Sequence, residues 1–149
     1  FNREGIKPMK ISSKGEYGLR ALFDMTQHYD QSPRRSREIG EAQSVPEDYL
    51  NQLLITLRKA GLINSLRGPQ GGHILARPPQ QITLLEVIRE LEGDVSPLAH
   101  SVEPTPVDKV LIDIWQQVED ETVKILSSVT LEDLLERYNH KQEQVMYYI

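Results

Sequence analysis

Arg67 is a lone cation on a turn, "LRGPQGGHILARPP" (Leu66 to Pro79), in which Gly68, Gly71 and Gly72 let the main chain come close to another surface. One long cation on such a turn suits entry into a narrow, strongly negative slot such as the DNA minor groove. The competing chemistry is a phosphate-cradling nucleotide loop, which needs a helix to open directly after the glycines so that free N–H groups face the anion. Here "HILARPPQQ" follows and runs into two prolines, and the Gly-Lys-Ser or Gly-Lys-Thr ending is missing. A second group, Asp48, Tyr49, Asn51 and Gln52, precedes Arg58 and Lys59. Asn and Gln can pair with adenine N6 and N7, and an acidic residue accepts from cytosine N4, whereas cations such as Lys14, Arg58 and Lys59 suit phosphates.

Other chemistries find little support. Acidic residues pair only in helical surface runs such as "VEDE", and no nucleophile stands at a recognisable spacing from a base, so the chain does not read as an enzyme. It contains no cysteine, which removes disulfides, thiolate metal sites and cysteine nucleophiles. His100, Glu103 and Asp108 are weak metal-ligand candidates without a fixed metal spacing, and a solvated loop is the reading preferred for them. His73, a lone histidine beside an apolar strand, reads as structural.

These groups need elements to hold them. Ser/Thr-x-x-Glu patterns at Ser13/Glu16, Ser44/Glu47 and Thr83/Glu86, and a looser Thr130/Asp133, read as capping boxes that start helices. A helix from Ser13 to about His28 would put Tyr17, Ala21, Leu22 and Met25 on one face. After the turn "QSPRRS", Ser36 can cap a short helix, and a longer helix follows with Leu50, Leu53, Leu54 and Leu57 at i, i+3, i+4 and i+7 and Gly61 at its end. "LINSL" and "HILA" are strand-sized runs joined by the "RGPQGG" loop. Helix, turn, helix and arginine-tipped hairpin make a winged-helix arrangement, with the second helix of the pair suited to the major groove and the hairpin to the minor groove.

The 149 residues amount to about one domain of chain, and the net charge of -5 averages two unlike parts. Residues 1–78 carry +4 (12 Lys/Arg, 8 Asp/Glu) and residues 79–149 carry -9 (5 and 14), an asymmetry that suggests an anion-binding part tied to an acidic one. No apolar run reaches membrane-spanning length and no secretory signal is evident, so a cytoplasmic location is expected. Residues 1–8 lack apolar periodicity and read as an expression remnant or an upstream extension.

"MKISSKGEYGLRAL", "PEDYLNQLLITLRKAGLINSLRGPQGGHILAR" and "ITLLEVIRELEG" together resemble the Rrf-two family of winged helix-turn-helix transcription regulators, the IscR-, NsrR- and CymR-like proteins. The resemblance runs from Met9 to about Tyr138. It implies a mainly α fold, divided as a winged helix-turn-helix at 9–80, a linking helix and sensor-type loop at 81–106, a dimerisation helix and final short helix at 107–140 and a tail at 141–149. It also implies a homodimer on a double-stranded DNA operator. Asp48, Tyr49, Asn51, Gln52 and Arg67 would read bases; Ser13, Lys14, Tyr17, Arg58, Lys59, Gly68, Gln70, Gly71 and Gly72 would contact the DNA backbone. Val107, Val110, Leu111, Ile114, Val118, Ile125 and Val129 mark an apolar stripe fitting the paired helix. A helix of that length is hard to bury in one small domain, so a partner chain is its expected cover.

The sequence departs from the family pattern in three places. Glutamate is common in relatives at the position of Asn51, which predicts a shift toward adenine; tyrosine is common at the position of His73. Cluster-binding relatives carry three cysteines in the loop that here reads "GDVSPLAHSVEPTPVDK", and serine hydroxyls do not replace thiolates, so no stable [2Fe–2S] cluster or other cofactor is expected. A regulatory protein partner, or a small ligand between the domains, is the signal that remains easy to support, with no membrane involved. A winged-helix protein–protein module working through the acidic C-terminal half is the alternative function.

Overall fold

The computed structural model describes residues 11–93 and 105–147. The described residues form a mainly α winged-helix domain: α1 (Ser13–Gln27), α2 (Ser36–Gln43), α3 (Glu47–Lys59), the strands β1 (Ile63–Leu66) and β2 (Gly72–Leu75), a 3-10 turn (Pro79–Gln81), then α4 (Leu84–Glu92), α5 (Pro106–Ser128) and α6 (Leu131–Tyr147). The core forms because each helix of the first half carries an apolar stripe of the right period. Ala21, Leu22 and Met25 of α1 meet Leu50, Leu53, Leu54 and Leu57 of α3, and Ile39, Leu62, Ile63 and Leu75 close the cluster. Truncating one of these leucines, such as Leu57, removes about 2–5 kcal/mol.

Gly61 ends α3 as the leucine spacing predicts. Its φ is +76°, its N–H donates to the Arg58 carbonyl at 3.0 Å, and the Leu62 N–H donates to the Leu57 carbonyl at 3.0 Å, a Schellman closure that turns the chain straight into β1. The hairpin is antiparallel in the register Ile63↔Leu75, Asn64↔Ile74, Ser65↔His73 and Leu66↔Gly72.

Two of the four capping patterns shift. Ser12, not Ser13, caps α1, accepting from the Gly15 N–H while its hydroxyl donates to Glu92 at the end of α4 at 2.6 Å. Ser44 does not cap α3: it sits in the left-handed region (φ 56°) at the end of α2, and the Val45 N–H donates to the Gly40 carbonyl so that Val45 enters the core. Pro46 takes the cap position with no side-chain bond. The other two patterns form: Thr83 accepts from the Glu86 N–H at 3.2 Å, and Thr130 and Asp133 cap each other reciprocally at 3.0 and 3.1 Å.

The C-terminal half is organised by a short bridge. The Leu84 N–H donates to Val129 and the Leu131 N–H to Ile82, both at 2.9 Å, so the starts of α4 and α6 lie side by side and Leu131 is buried. Val129, counted in the apolar stripe of the long helix, lies just beyond α5 and packs into this core instead. α5 itself, 23 residues and roughly 35 Å long, buries none of its side chains. α6 continues through Tyr147, past the tail boundary expected at 140, because "KQEQVMY" holds no glycine or proline and mostly good helix formers.

Candidate nucleic-acid interface

α3 divides cleanly. Its leucines face the core, and Asp48, Asn51, Gln52, Arg58 and Lys59 are exposed on the opposite side. Tyr49 is half-buried, its ring meeting that of Tyr17 edge to face at 5.6 Å and 74°, with the Arg20 guanidinium 5.5 Å from the Tyr17 ring centre. The two tyrosines thus brace α1 against the start of α3. Lys14 is half-buried and Ser13 exposed on the first turn of α1. The charged residues of α3 follow the helix dipole, with Glu47 and Asp48 in the first turn and Arg58 and Lys59 in the last.

The hairpin tip is built by its glycines. Arg67, Gly68, Pro69 and Gln70 are exposed, and the Gly71 N–H returns to the Gly68 carbonyl at 2.9 Å. Gly71 is buried, and a Cβ there would lie 2.2 Å from the Leu66 carbonyl oxygen. Gly72 has φ +150°, and its Cβ would lie 2.7 Å from the main-chain oxygen of Arg34. Their positions make Gly71 and Gly72 turn builders, while Arg67, Gly68 and Gln70 form the outward surface.

Sequence reasoning treated "QSPRRS" as a bare turn and so missed what anchors the hairpin. Arg34 pairs its main chain with His73, donating to its carbonyl at 3.0 Å and accepting from its N–H at 2.7 Å, so the segment acts as a third strand beside β2. The Arg34 side chain turns inward, donating to Asp24 at 2.8 Å, and outward, donating to Glu38 at 3.0 Å, and the hydrogen bond to Asp24 keeps the guanidinium firmly protonated. The Arg35 guanidinium donates to the Pro69 carbonyl at the hairpin tip. Ser36 does not cap α2, because Arg35 occupies that position; its hydroxyl instead bonds Nε2 of His73 at 3.2 Å, and Ser65 bonds Nδ1 at 2.8 Å. Burial first, and then the positive charge of Arg58, push the His73 imidazole below its ordinary pKa. The hydroxyls of Ser36 and Ser65 were visible in the sequence, but only the strand pairing brings them to His73.

A second exposed surface lies far from the hairpin in sequence. On α5, Val107 and Val110 are each 65% exposed and Ile125 61%; Ile114 is exposed, and Leu111 and Val118 are half-exposed. A groove of about 870 Å³ runs between α1 and α6, with Leu19, Phe23, Leu134 and Tyr138 along it and Arg20, Arg137, His140 and Lys141 at its edges. Phe23 and Tyr138 meet edge to face at 5.1 Å. Arg137 and Lys141 form no ion pair among the described residues.

The sequence profile of the Rrf2 family, described as an iron-dependent transcriptional regulator, matches residues 11–137. The chain belongs to the Rrf2 family. It is 37% identical over 141 residues to the HTH-type transcriptional regulator CymR of Bacillus subtilis, covering 95% of this chain and 100% of CymR. The solved structure of T. potens IscR is similar at a TM-score of 0.76 with 41% identity, covering 89% of this chain and 90% of that one. That of CymR, the global cysteine regulator of B. subtilis, gives 0.77 with 36% identity, covering 86% and 97%. This Rrf2 protein is therefore a DNA-binding transcriptional regulator rather than an enzyme, and its mainly α winged-helix fold is that of its relatives.

The iron named in the family description finds no matching donor cluster among the described residues. The chain has no cysteine to supply thiolates, and no three His, Asp or Glu residues gather among the described residues. His100 and Glu103 lie outside the described residues. Asp108, the third metal candidate, is committed elsewhere: it closes a capping box with Thr105 at the start of α5, and the Thr105 main-chain N–H, followed by its hydroxyl, holds the carboxyl below its ordinary pKa. Among the described residues, no helix is long and apolar enough to cross a membrane.

Proposed function

We propose that this Rrf2 regulator binds a two-fold operator as a homodimer, with α3 in the major groove and Arg67 in the adjacent minor groove. One observation carries the reading: the exposed polar face of α3 runs directly, through the Gly61 closure, into a glycine-built hairpin whose outermost cation is Arg67. Asp48, Asn51 and Gln52 then read base edges, with the half-buried Tyr49 beside them. Arg58, Lys59, Lys14, Ser13, Tyr17 and the Gly68–Gln70 main chain meet phosphates, and Gly71 and Gly72 contribute by shaping the tip. The protein works in the cytoplasm, where its DNA is.

Two further observations support the dimer. α5 leaves an apolar stripe uncovered, and it bears Asp108, Asp113, Glu119, Asp120 and Glu121 against Lys109 and Lys124. The α1–α6 groove offers the complement, an apolar lining with Arg137 and Lys141, which form no ion pair among the described residues, at its edge, while Arg20 is paired with Glu16; a second copy's α5 can be received there as well as against α5 itself. Signal input falls to a protein partner or a small ligand rather than to a thiolate-bound cluster.

Selection from a random duplex pool, followed by titration of enriched duplexes at two salt concentrations, tests the reading. The expected result is a two-fold site with half-sites about one helical turn or a multiple apart and affinity that falls steeply with salt. Binding indifferent to salt and to Arg67→Ala would overturn it in favour of a protein-interaction module.

A further inference from the structure

A two-stranded hairpin is marginally stable on its own, so the direction of the hairpin tip is set by whatever the hairpin is tied to. Ile63 and Leu75 seat the base of the hairpin in the core, and its polar side-chain ties to α2 centre on one residue. His73 lies on β2 opposite Ser65 of β1, and its ring stands between the Ser65 hydroxyl (2.8 Å from Nδ1) and the Ser36 hydroxyl (3.2 Å from Nε2). Ser36 opens α2, the helix packed against α3, and the His73 main chain is locked in both directions to Arg34 just before it. One imidazole therefore connects both strands of the hairpin to the first helix of the helix-turn-helix pair. The contact is half-buried, and its two ring nitrogens are both engaged, which fixes the ring in one orientation.

We propose that His73 is a positioning residue for minor-groove recognition, holding the hairpin at the angle that lets Arg67 enter the groove while α3 occupies the neighbouring major groove. The proposal rests on the reading of Arg67 given above. Its mechanism is geometric. Arg67 sits at the exposed end of a lever whose base is the Ser36–His73–Ser65 bridge, and the Arg35 bond to the Pro69 carbonyl steadies the same lever near its tip. Loss of the bridge leaves the α3 contacts in place and lets the tip wander, so the cost falls on recognition under the hairpin. A narrow A·T-rich minor groove attracts an inserted arginine more strongly than a wider G·C one, so the flanking preference reports the position of Arg67 specifically.

The experiment is random-duplex selection with wild type, Arg67→Ala, His73→Phe and the Arg67→Ala/His73→Phe double variant, scored separately at positions under α3 and at the flanking minor groove. A Ser36→Ala/Ser65→Ala variant removes the bridge while keeping the ring, and serves if His73→Phe fails to fold. The expected result is that loss of the bridge abolishes flanking preference as fully as Arg67→Ala does, leaves the bases under α3 unchanged, and adds nothing when combined with Arg67→Ala. Retained flanking preference in both bridge variants, with Arg67→Ala losing it, overturns the role of His73 and leaves the reading of Arg67 standing. An equal loss at all positions with a lowered melting temperature also overturns it, since that is what a merely structural residue does. Flanking preference untouched by Arg67→Ala, or no enrichment by the wild type, overturns the reading of Arg67 and the proposal with it.

Discussion

The fully buried carboxylate of Asp24 grips the Arg34 guanidinium at 2.8 Å and 3.3 Å, joining the last turn of α1 to the segment that pairs with the hairpin. Gln43 of α2 approaches the same carboxylate at 3.4 Å. Removing one partner of a buried pair leaves the other with an uncompensated desolvation cost. Asp24→Ala is therefore expected to destabilise the fold by about 3 kcal/mol, at the low end of the range because Arg34 keeps Glu38. Denaturant midpoints measure this; a change below about 0.5 kcal/mol, the scale of an ordinary surface substitution, would show that the pair does not hold the domain together.

Phosphate and groove contacts differ in their salt signature. Arg58→Ala and Lys59→Ala should weaken binding to all duplexes alike, each lowering the slope of log affinity against log salt by about 1. Arg67→Ala should weaken an A·T-flanked duplex about tenfold and a G·C-flanked one less. Fluorescence anisotropy titrations at several salt concentrations separate the two patterns.

Asn51 stands exposed on α3 with an amide that matches adenine. Asn51→Glu exchanges that match for an acceptor suited to cytosine, and discrimination of roughly 1–3 kcal/mol at one base pair is expected to move with it. Duplex selection with both proteins tests this, and an unchanged consensus would remove Asn51 from the base-reading set.

Exposed apolar residues on α5 make dimerisation easy to disrupt without touching the monomer core. Ile114→Glu or Val110→Glu is expected to shift the protein to monomer in sedimentation experiments while its circular dichroism is retained. Arg137→Glu with Lys141→Glu should weaken the dimer only if α5 of a second copy meets the α1–α6 groove.

The depressed pKa of His73 has a defined sign. Unfolded, the imidazole titrates near its ordinary 6.5; folded, burial and Arg58 keep it neutral to lower pH. Between those values the unfolded chain binds a proton that the folded chain does not. Its contribution is therefore whole above the ordinary value and is lost as pH falls through the window. Unfolding midpoints followed from about pH 7.5 to pH 5 should show this slope in the wild type and a flatter one in His73→Phe.

What the sequence determined by itself is what depends on local period and turn chemistry. The leucine spacing on α3, Gly61 at its end, the two strand-sized runs and the glycine-rich turn specify a helix-turn-helix with a hairpin, because each is decided within a few residues. The Thr130/Asp133 cap was legible for the same reason. Ser13 and Ser44 misled because several hydroxyls compete for one cap, and the choice goes to the residue that tertiary contacts favour: Ser12 through Glu92, and a left-handed Ser44 through burial of Val45. Asp108 closes a cap with Thr105, a local Thr-x-x-Asp pattern of the same kind. Only the folded chain decided how the hairpin is held, since Asp24, Arg34, Ser36, Ser65 and His73 come from separate elements that meet through strand pairing. It also decided that α5 remains uncovered and that α1 and α6 leave a cation-edged groove. A sequence pattern states that a face is apolar, whereas the packing of all the other faces decides whether any part of the same chain is left to cover it.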